Sequence, residues 1–164
     1  MMIYIAHGII MAVIEFALDE HGQQPVLNHL NMLRAQAQAG DLDALWILPR
    51  ITRAMSFVSR HGIPDSLDKL LSDTDDNGVA FTLAKPVKEL VHHHPLLELR
   101  VNRQGYGAFR AIFFVHKHEG QQILVFTRSI LKQSKSSIAF DIVVHETEAM
   151  FSDFKINPGK YINL

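Results

Sequence analysis

The sequence predicts an α+β fold on three observations. Two segments near the N-terminus carry apolar residues at helical spacing, three alternating or apolar segments in the middle are separated by Gly-containing turns, and the last segment returns to helical spacing. With 164 residues and 48% hydrophobic side chains, one domain can bury a core without disulfides or a structural metal. The absence of Cys excludes a disulfide framework, Cys-ligated zinc and thiolate chemistry, and fits a reducing, cytoplasmic setting.

The elements follow in order. Residues 11–18 are β-branched and aromatic enough to read as a core strand. The apolar N-terminus lacks a basic leader and a small-residue cleavage site, and His7 and Glu15 interrupt it. It therefore predicts neither a signal peptide nor a membrane span, and Met11 offers an alternative start. Pro25 opens an amphipathic helix through Val26, Leu30, Leu33 and Ala37 that Gly40 closes. A second helix is expected from about Asp43 to His61, with Leu48, Ile51, Met55 and Val58 on one face, Gly62 as its stop and a kink or start at Pro49.

Residues 62–84, with Gly62, Pro64 and the run from Asp73 to Gly78, read as an acidic loop insertion, neither helix nor strand. A calcium loop beginning at Asp73 would need Glu at its twelfth position, where Ala84 stands. An antiparallel meander then takes Leu96 to Arg103, Ala108 to His116 and Gln121 to Arg128, with turns at 104–107 and 118–120. Leu97, Leu99 and Val101 share one face of the first strand; Glu98, Arg100 and Asn102 share the other. Ser137 to Phe154 closes the domain as a helix with Ile138, Ile142, Val143, Met150 and Phe154 in its rhythm, before a polar tail.

A net charge of −1 hides a strong asymmetry. Residues 1–84 carry −5, residues 85–135 carry +6 and residues 136–164 carry −2. The basic excess falls on the meander, so a near-neutral chain can present a positive face to a polyanion. Arg110 is the most informative member, since a guanidinium inside an apolar strand requires either an internal partner, with Glu98 the nearest candidate, or a ligand. If the strands pair in sequence, Arg100, Arg110 and Arg128 converge on one face with Lys132 beyond them, a set suited to phosphate oxygens.

His92, His93 and His94 are consecutive and poorly arranged for one metal centre, and His116 with His118 reads as a hairpin end; neither a metal nor a cofactor is expected. No Gly-rich phosphate loop, Ser elbow or helical His pair is present. What remains is positioning and charge stabilisation, as metal-free phosphodiester cleavage by a 2′-hydroxyl requires.

Several stretches together resemble a family: Ala12 to Phe16, Gly22 to Leu27, Lys85 to Leu90, Leu97-Glu98-Leu99-Arg100, Phe109 to Phe114, and Ile130 to Lys135. In this order they are similar to the RelE/ParE superfamily of toxins, in particular its phage-derived HigB-like branch, from about Ala12 to Phe154. The resemblance implies two N-terminal helices on a curved antiparallel sheet with a C-terminal helix. It also implies a toxin of a type II toxin-antitoxin system that cleaves mRNA at the ribosome without a metal and is neutralised by a cognate antitoxin of helix-turn-helix type.

Carried over by position, Arg100 matches the arginine after the Glu-Leu pair, Arg110 that of the next strand, and Lys132 the first lysine of a Phe-x-Lys-Lys loop. In that loop Ile130 replaces the aromatic and Gln133 the second lysine, while Arg128 stands where many members have His. The candidate catalytic residues are thus Arg100, Arg110, Arg128 and Lys132, with the general base open among nearby His or Tyr. Lys85, Lys88, Arg103 and Lys135 are candidate RNA contacts. The same fold also serves inhibitors of DNA gyrase, and the altered lysine loop equally suits a non-enzymatic interaction protein or decayed relative.

Overall fold

The computed structural model describes residues 3–5 and 8–164, with side chains from Met11 onward. His7, which interrupts the N-terminal apolar run, lies outside the described residues. The chain runs β1 (Ile3–Ile5), β2 (Gly8–Ile10), β3 (Ala12–Phe16), α1 (Pro25–Gln38), α2 (Leu42–His61), β4 (Leu70–Thr74), β5 (Ala80–Ala84), β6 (Val87–Glu89), β7 (Leu97–Arg103), β8 (Gly107–His118), β9 (Gln121–Lys132) and α3 (Ile138–Phe154), then a short 3-10 turn at Pro158–Lys160. The α+β class expected from the sequence is present, with three α-helices and a five-stranded sheet among the described residues.

That sheet is mixed, not antiparallel. Its order is β3-β9-β8-β7-β6, antiparallel from β6 to β9, while β3 lies parallel to β9 with Ala12 opposite Gln122 and Phe16 opposite Phe126. The meander strands are joined by hairpins, which force antiparallel pairing; β3 has no such link and is free to take the parallel edge. α1 and α2 cover one face. Leu30, Leu33, Ile47, Ile51 and Val58 pack there on Leu99, Val101, Phe109, Phe113 and Phe126, and the Phe113 and Phe126 rings stack at 4.6 Å. α3 covers the other face, with Val144, Met150 and Phe154 against Ile112, Phe114, Ile123 and Val125.

The alternation that builds these faces shifts at one point. Between Ile112 and Phe113 of β8 the register with β9 slips, and Thr127 is the additional residue. Its hydroxyl bonds to Thr147 of α3 at 2.7 Å, so Thr127 points to the α3 side. Arg128, next in sequence, lies opposite Ile112, and thereafter Ile130 and Lys132 share the α3 side. A one-residue bulge exchanges the faces of everything beyond it. Here it moves the even-numbered end of β9, including two candidate site residues, onto the basic face.

The helices obey their caps. Asp41 accepts from the Ala44 N–H at 2.9 Å, and α2 starts at Leu42, runs through Pro49 and ends at Gly62, whose φ of 68° is the left-handed stop that glycine adopts without penalty. In α3, Ser137 caps the N-terminus. The buried residues there are Val144, Thr147, Met150 and Phe154, while Ile138 and Ile142, which share the helical rhythm, are exposed. The tail beyond Phe154 is not free, for Ile162 is buried in the α3 side of the core and Leu18 N–H bonds Tyr161 O at 3.0 Å.

Residues 62–84 also differ from the expected loop, since β4 and β5 form an antiparallel hairpin with Leu71 opposite Leu83 and Asp73 opposite Phe81. Leu71, Phe81 and Leu83 pack on the main core. The acids that suggested a solvated loop are counter-charges to α2: Arg53 pairs Asp73 at 2.8 Å and Asp76 at 3.2 Å, and Arg50 pairs Asp75 at 3.6 Å. Among the described residues, no helix is long and apolar enough to cross a membrane.

Two partly buried histidines flank this core, and burial lowers the pKa of each. His29 bonds Ser129 through Nδ1 at 2.8 Å beside the Phe109 ring, and burial lowers its pKa. His116 lies against Phe154, and its pKa is lowered by burial and then by His118. Both bind protons more readily in the unfolded chain, so stability is full above the ordinary histidine pKa and falls as pH drops through and below it. We expect the thermal midpoint to fall between about pH 7 and pH 5, and His29→Gln to flatten that dependence; equal slopes for both proteins in a pH-resolved melting series would refute the assignment.

Candidate nucleic-acid interface

Strand register sets the basic face. Lys88 lies opposite Glu98, Arg100 opposite Arg110, Arg110 opposite Ile130, Ile112 opposite Arg128 and Ala108 opposite Lys132, so all these side chains share the α3 side of the sheet. Two arginines directly across a strand pair repel each other and are not what sheet stability alone selects. Each is held differently. Arg110 donates to Asn102 Oδ1 at 2.8 Å and to its own neighbour's carbonyl, Phe109 O, at 2.9 Å, both through Nη1, while its Nε faces Glu98 at 3.6 Å.

The Arg110 and Glu98 side chains are only 11% and 10% exposed. Burial lowers the Arg110 pKa, Glu98 opposes that shift and Arg100 adds to it. Glu98 is thus the internal partner that a buried arginine requires. Arg100 turns away and donates Nε to Lys85 O at 2.8 Å.

Beyond Arg110 the face opens into a cleft of about 740 Å³ between the β7–β8 turn and the segment that follows β9. Asn102, Arg103, Tyr106, Arg110, Lys132 and Lys135 line it, and no carboxylate does. Gly107, also in the lining, is held to glycine by its φ of 154° and by Leu131, whose Cγ would lie 2.9 Å from an added Cβ. Lys132 Nζ lies 5.1 Å from the centre of the Phe140 ring, and among the described residues neither Lys132 nor Lys135 has a carboxylate within ion-pair distance. Arg103 pairs with Asp43 at 2.7 Å. Tyr106 has its pKa raised, by burial first and then by Asp41 and Asp43, so its phenol is a hydrogen-bond donor at neutral pH.

The structure therefore brings together four of the eight residues singled out in the sequence, Arg103, Arg110, Lys132 and Lys135. Arg128 is elsewhere: its Nε bonds Glu146 at 2.8 Å, its Nη2 bonds Glu20 at 3.1 Å and its Nη1 bonds Thr127 O at 3.1 Å, against α3. Arg100, Lys85 and Lys88 lie along the same edge of the sheet and outside the cleft lining. Asn102 and Tyr106 were not singled out; Asn102 alternates in phase with Arg100, and Tyr106 sits in a Gly-Tyr-Gly turn, which are the signals they offered.

Among the described residues, no histidine lines the cleft. His116 and His118 lie toward the other end of β8, and His93 pairs with Glu148 at 3.2 Å. Among the described residues no group of three or more His, Asp or Glu side chains is placed to hold a metal ion. Chemically, the cleft offers a partly buried guanidinium, two free ammonium groups, a second arginine and a phenol donor, a set that attracts phosphate oxygens and supports growing charge on them. Compared with family models, with curated proteins and with solved structures, the chain finds no match.

Proposed function

We propose that the cleft is an RNA-binding surface and that the chain is a toxin of the RelE/ParE kind. In this reading it is a metal-independent endoribonuclease acting on ribosome-bound mRNA in the cytoplasm and held in check by a small antitoxin of helix-turn-helix type. One observation carries the reading: four cationic residues, Arg103, Arg110, Lys132 and Lys135, line an open cleft that, among the described residues, no carboxylate lines. Cleavage by the RNA's own 2′-hydroxyl needs alignment of that oxygen with the phosphate and stabilisation of charge on the phosphate oxygens. Arg110 and Lys132 supply the charge, Arg103 and Lys135 hold the backbone on either side, and Tyr106 donates a hydrogen bond. Among the described residues, the cleft lining includes no imidazole or carboxylate to take the hydroxyl proton, and this reading assigns that step to a group met on the ribosome.

Binding of a short single-stranded RNA should weaken steeply with salt, and Lys132→Ala combined with Lys135→Ala should lower affinity about tenfold and the salt slope by about two. Induced expression should arrest growth, with primer extension on cellular mRNA showing new 5′ ends. RNA binding indifferent to salt and to both lysines would sink the reading.

A second reading, a binder that does not cut, is favoured by the engagement of Arg110 with Glu98 and of Arg128 with Glu20 and Glu146. It predicts salt-dependent binding without new 5′ ends. A supercoiling assay with purified gyrase tests the remaining fold-level alternative.

A further inference from the structure

Arg103 lines the cleft from the α1/α2 side of the sheet, the face opposite Arg110 and Lys132, and its position is set by residues of α2. Its Nε donates to Asp43 Oδ1 at 2.7 Å, at the start of α2, and its guanidinium carbon lies 4.7 Å from the centre of the Trp46 ring. The same indole carries a second guanidinium, that of Arg50, at 3.9 Å. Arg50 lies in turn 4.7 Å from the Phe81 ring of β5, donates to Trp46 O at 2.8 Å and faces Asp75 in the β4–β5 turn at 3.6 Å. A continuous set of contacts thus joins the acidic hairpin to the wall of the cleft.

This arrangement is not one that core packing alone selects. Arg50 is 5% exposed and its Nε is buried without a hydrogen-bond partner, a state that is unfavourable unless the surrounding contacts offset it. Two like charges share one ring, and each is balanced by a carboxylate at its far side, Asp75 for Arg50 and Asp43 for Arg103. Among the described residues, the two Nη groups of Arg103 make no hydrogen bond. A guanidinium held by Nε and by an indole face, with both Nη groups free, is prepared for two-pronged contact with a phosphate.

Building on the reading of the cleft as an RNA-binding surface, we propose that Trp46 is a positioning residue for Arg103 and that the β4–β5 hairpin, through Phe81, Asp75 and Arg50, holds Trp46 in that role. The hairpin is then a working part of the RNA site, although it lines no part of the cleft. Trp46 is also the single tryptophan of the chain, so its emission reports on the guanidinia of Arg50 and Arg103 beside it.

The experiment titrates the full chain with a short oligouridylate, following both anisotropy of labelled RNA and tryptophan emission. Emission should change with the same midpoint as anisotropy, and Arg103→Gln should remove the emission change. Trp46→Leu should weaken binding about fivefold and lower the salt slope by about one, while Trp46→Phe should restore most of both. In an Arg103→Gln background, Trp46→Leu should have no further effect.

Asp75→Asn keeps the acceptor that closes the turn and removes the charge facing Arg50. It should give a smaller loss with the same dependence on Arg103, and it decides the matter if Trp46→Leu does not fold. Wild-type affinity and slope in these variants, or equal losses with and without Arg103, would overturn the positioning role and leave the cleft reading standing. Salt-independent or absent RNA binding by the unmodified chain would overturn both.

Discussion

Glu98→Ala is expected to destabilise the fold by about 3 kcal/mol, read as a lower urea midpoint at unchanged slope. The magnitude follows from what the substitution leaves behind. Arg110 cannot shed its proton, and its side chain is 11% exposed, so without Glu98 it keeps a full charge in a site largely closed to water. Asn102 Oδ1 and Phe109 O still accept from Nη1, but neutral acceptors do not cancel charge, and the Arg100 opposite adds repulsion. A solvated pair in the same register would lose less than about 1 kcal/mol. Wild-type stability in Glu98→Ala would mean that water reaches Arg110 freely and that the pair holds nothing together.

Much of the fold was legible because the signals were local. Pro25 and Gly40 bracket α1 closely, and alternation through Leu97, Leu99 and Val101 assigned the buried face of β7 correctly. What failed depended on partners distant in sequence. The parallel pairing of β3 with β9 joins residues about a hundred positions apart, and nothing in Ala12 to Phe16 states a direction.

The hairpin of β4 and β5 was hidden because Asp73, Asp75 and Asp76 carry the composition of a loop while answering Arg50 and Arg53 on α2. Ile138 and Ile142 fit a helical period and still face outward, because a period gives spacing and not the side that packs. The site shows the same limit. Arg128 shares the basic face because of the bulge at Thr127, yet Glu20, 108 residues earlier, and Glu146 engage it. Arg103, in contrast, lines the cleft while its guanidinium is held by Asp43 and Trp46 on another element.

Replacing the pair as a unit, with Glu98→Met and Arg110→Met in one chain, is expected to separate structure from activity. Apolar residues of similar volume at a buried ion pair leave stability near the starting value, here within about 1 kcal/mol, because the desolvation of both charges is no longer required. The change also relieves the repulsion between Arg110 and Arg100 across β7 and β8. The fold should therefore survive while the cleft loses the one guanidinium that reaches it from the middle of a strand.

If the proposed chemistry is right, growth arrest and new mRNA ends disappear and RNA affinity falls about tenfold, with the salt slope lower by about one. Undiminished arrest by the well-folded double variant would show that the reaction does not use Arg110. Affinity reduced in a chain that never cut RNA would assign the guanidinium to binding alone, which is the behaviour its engagement with Glu98 would then explain.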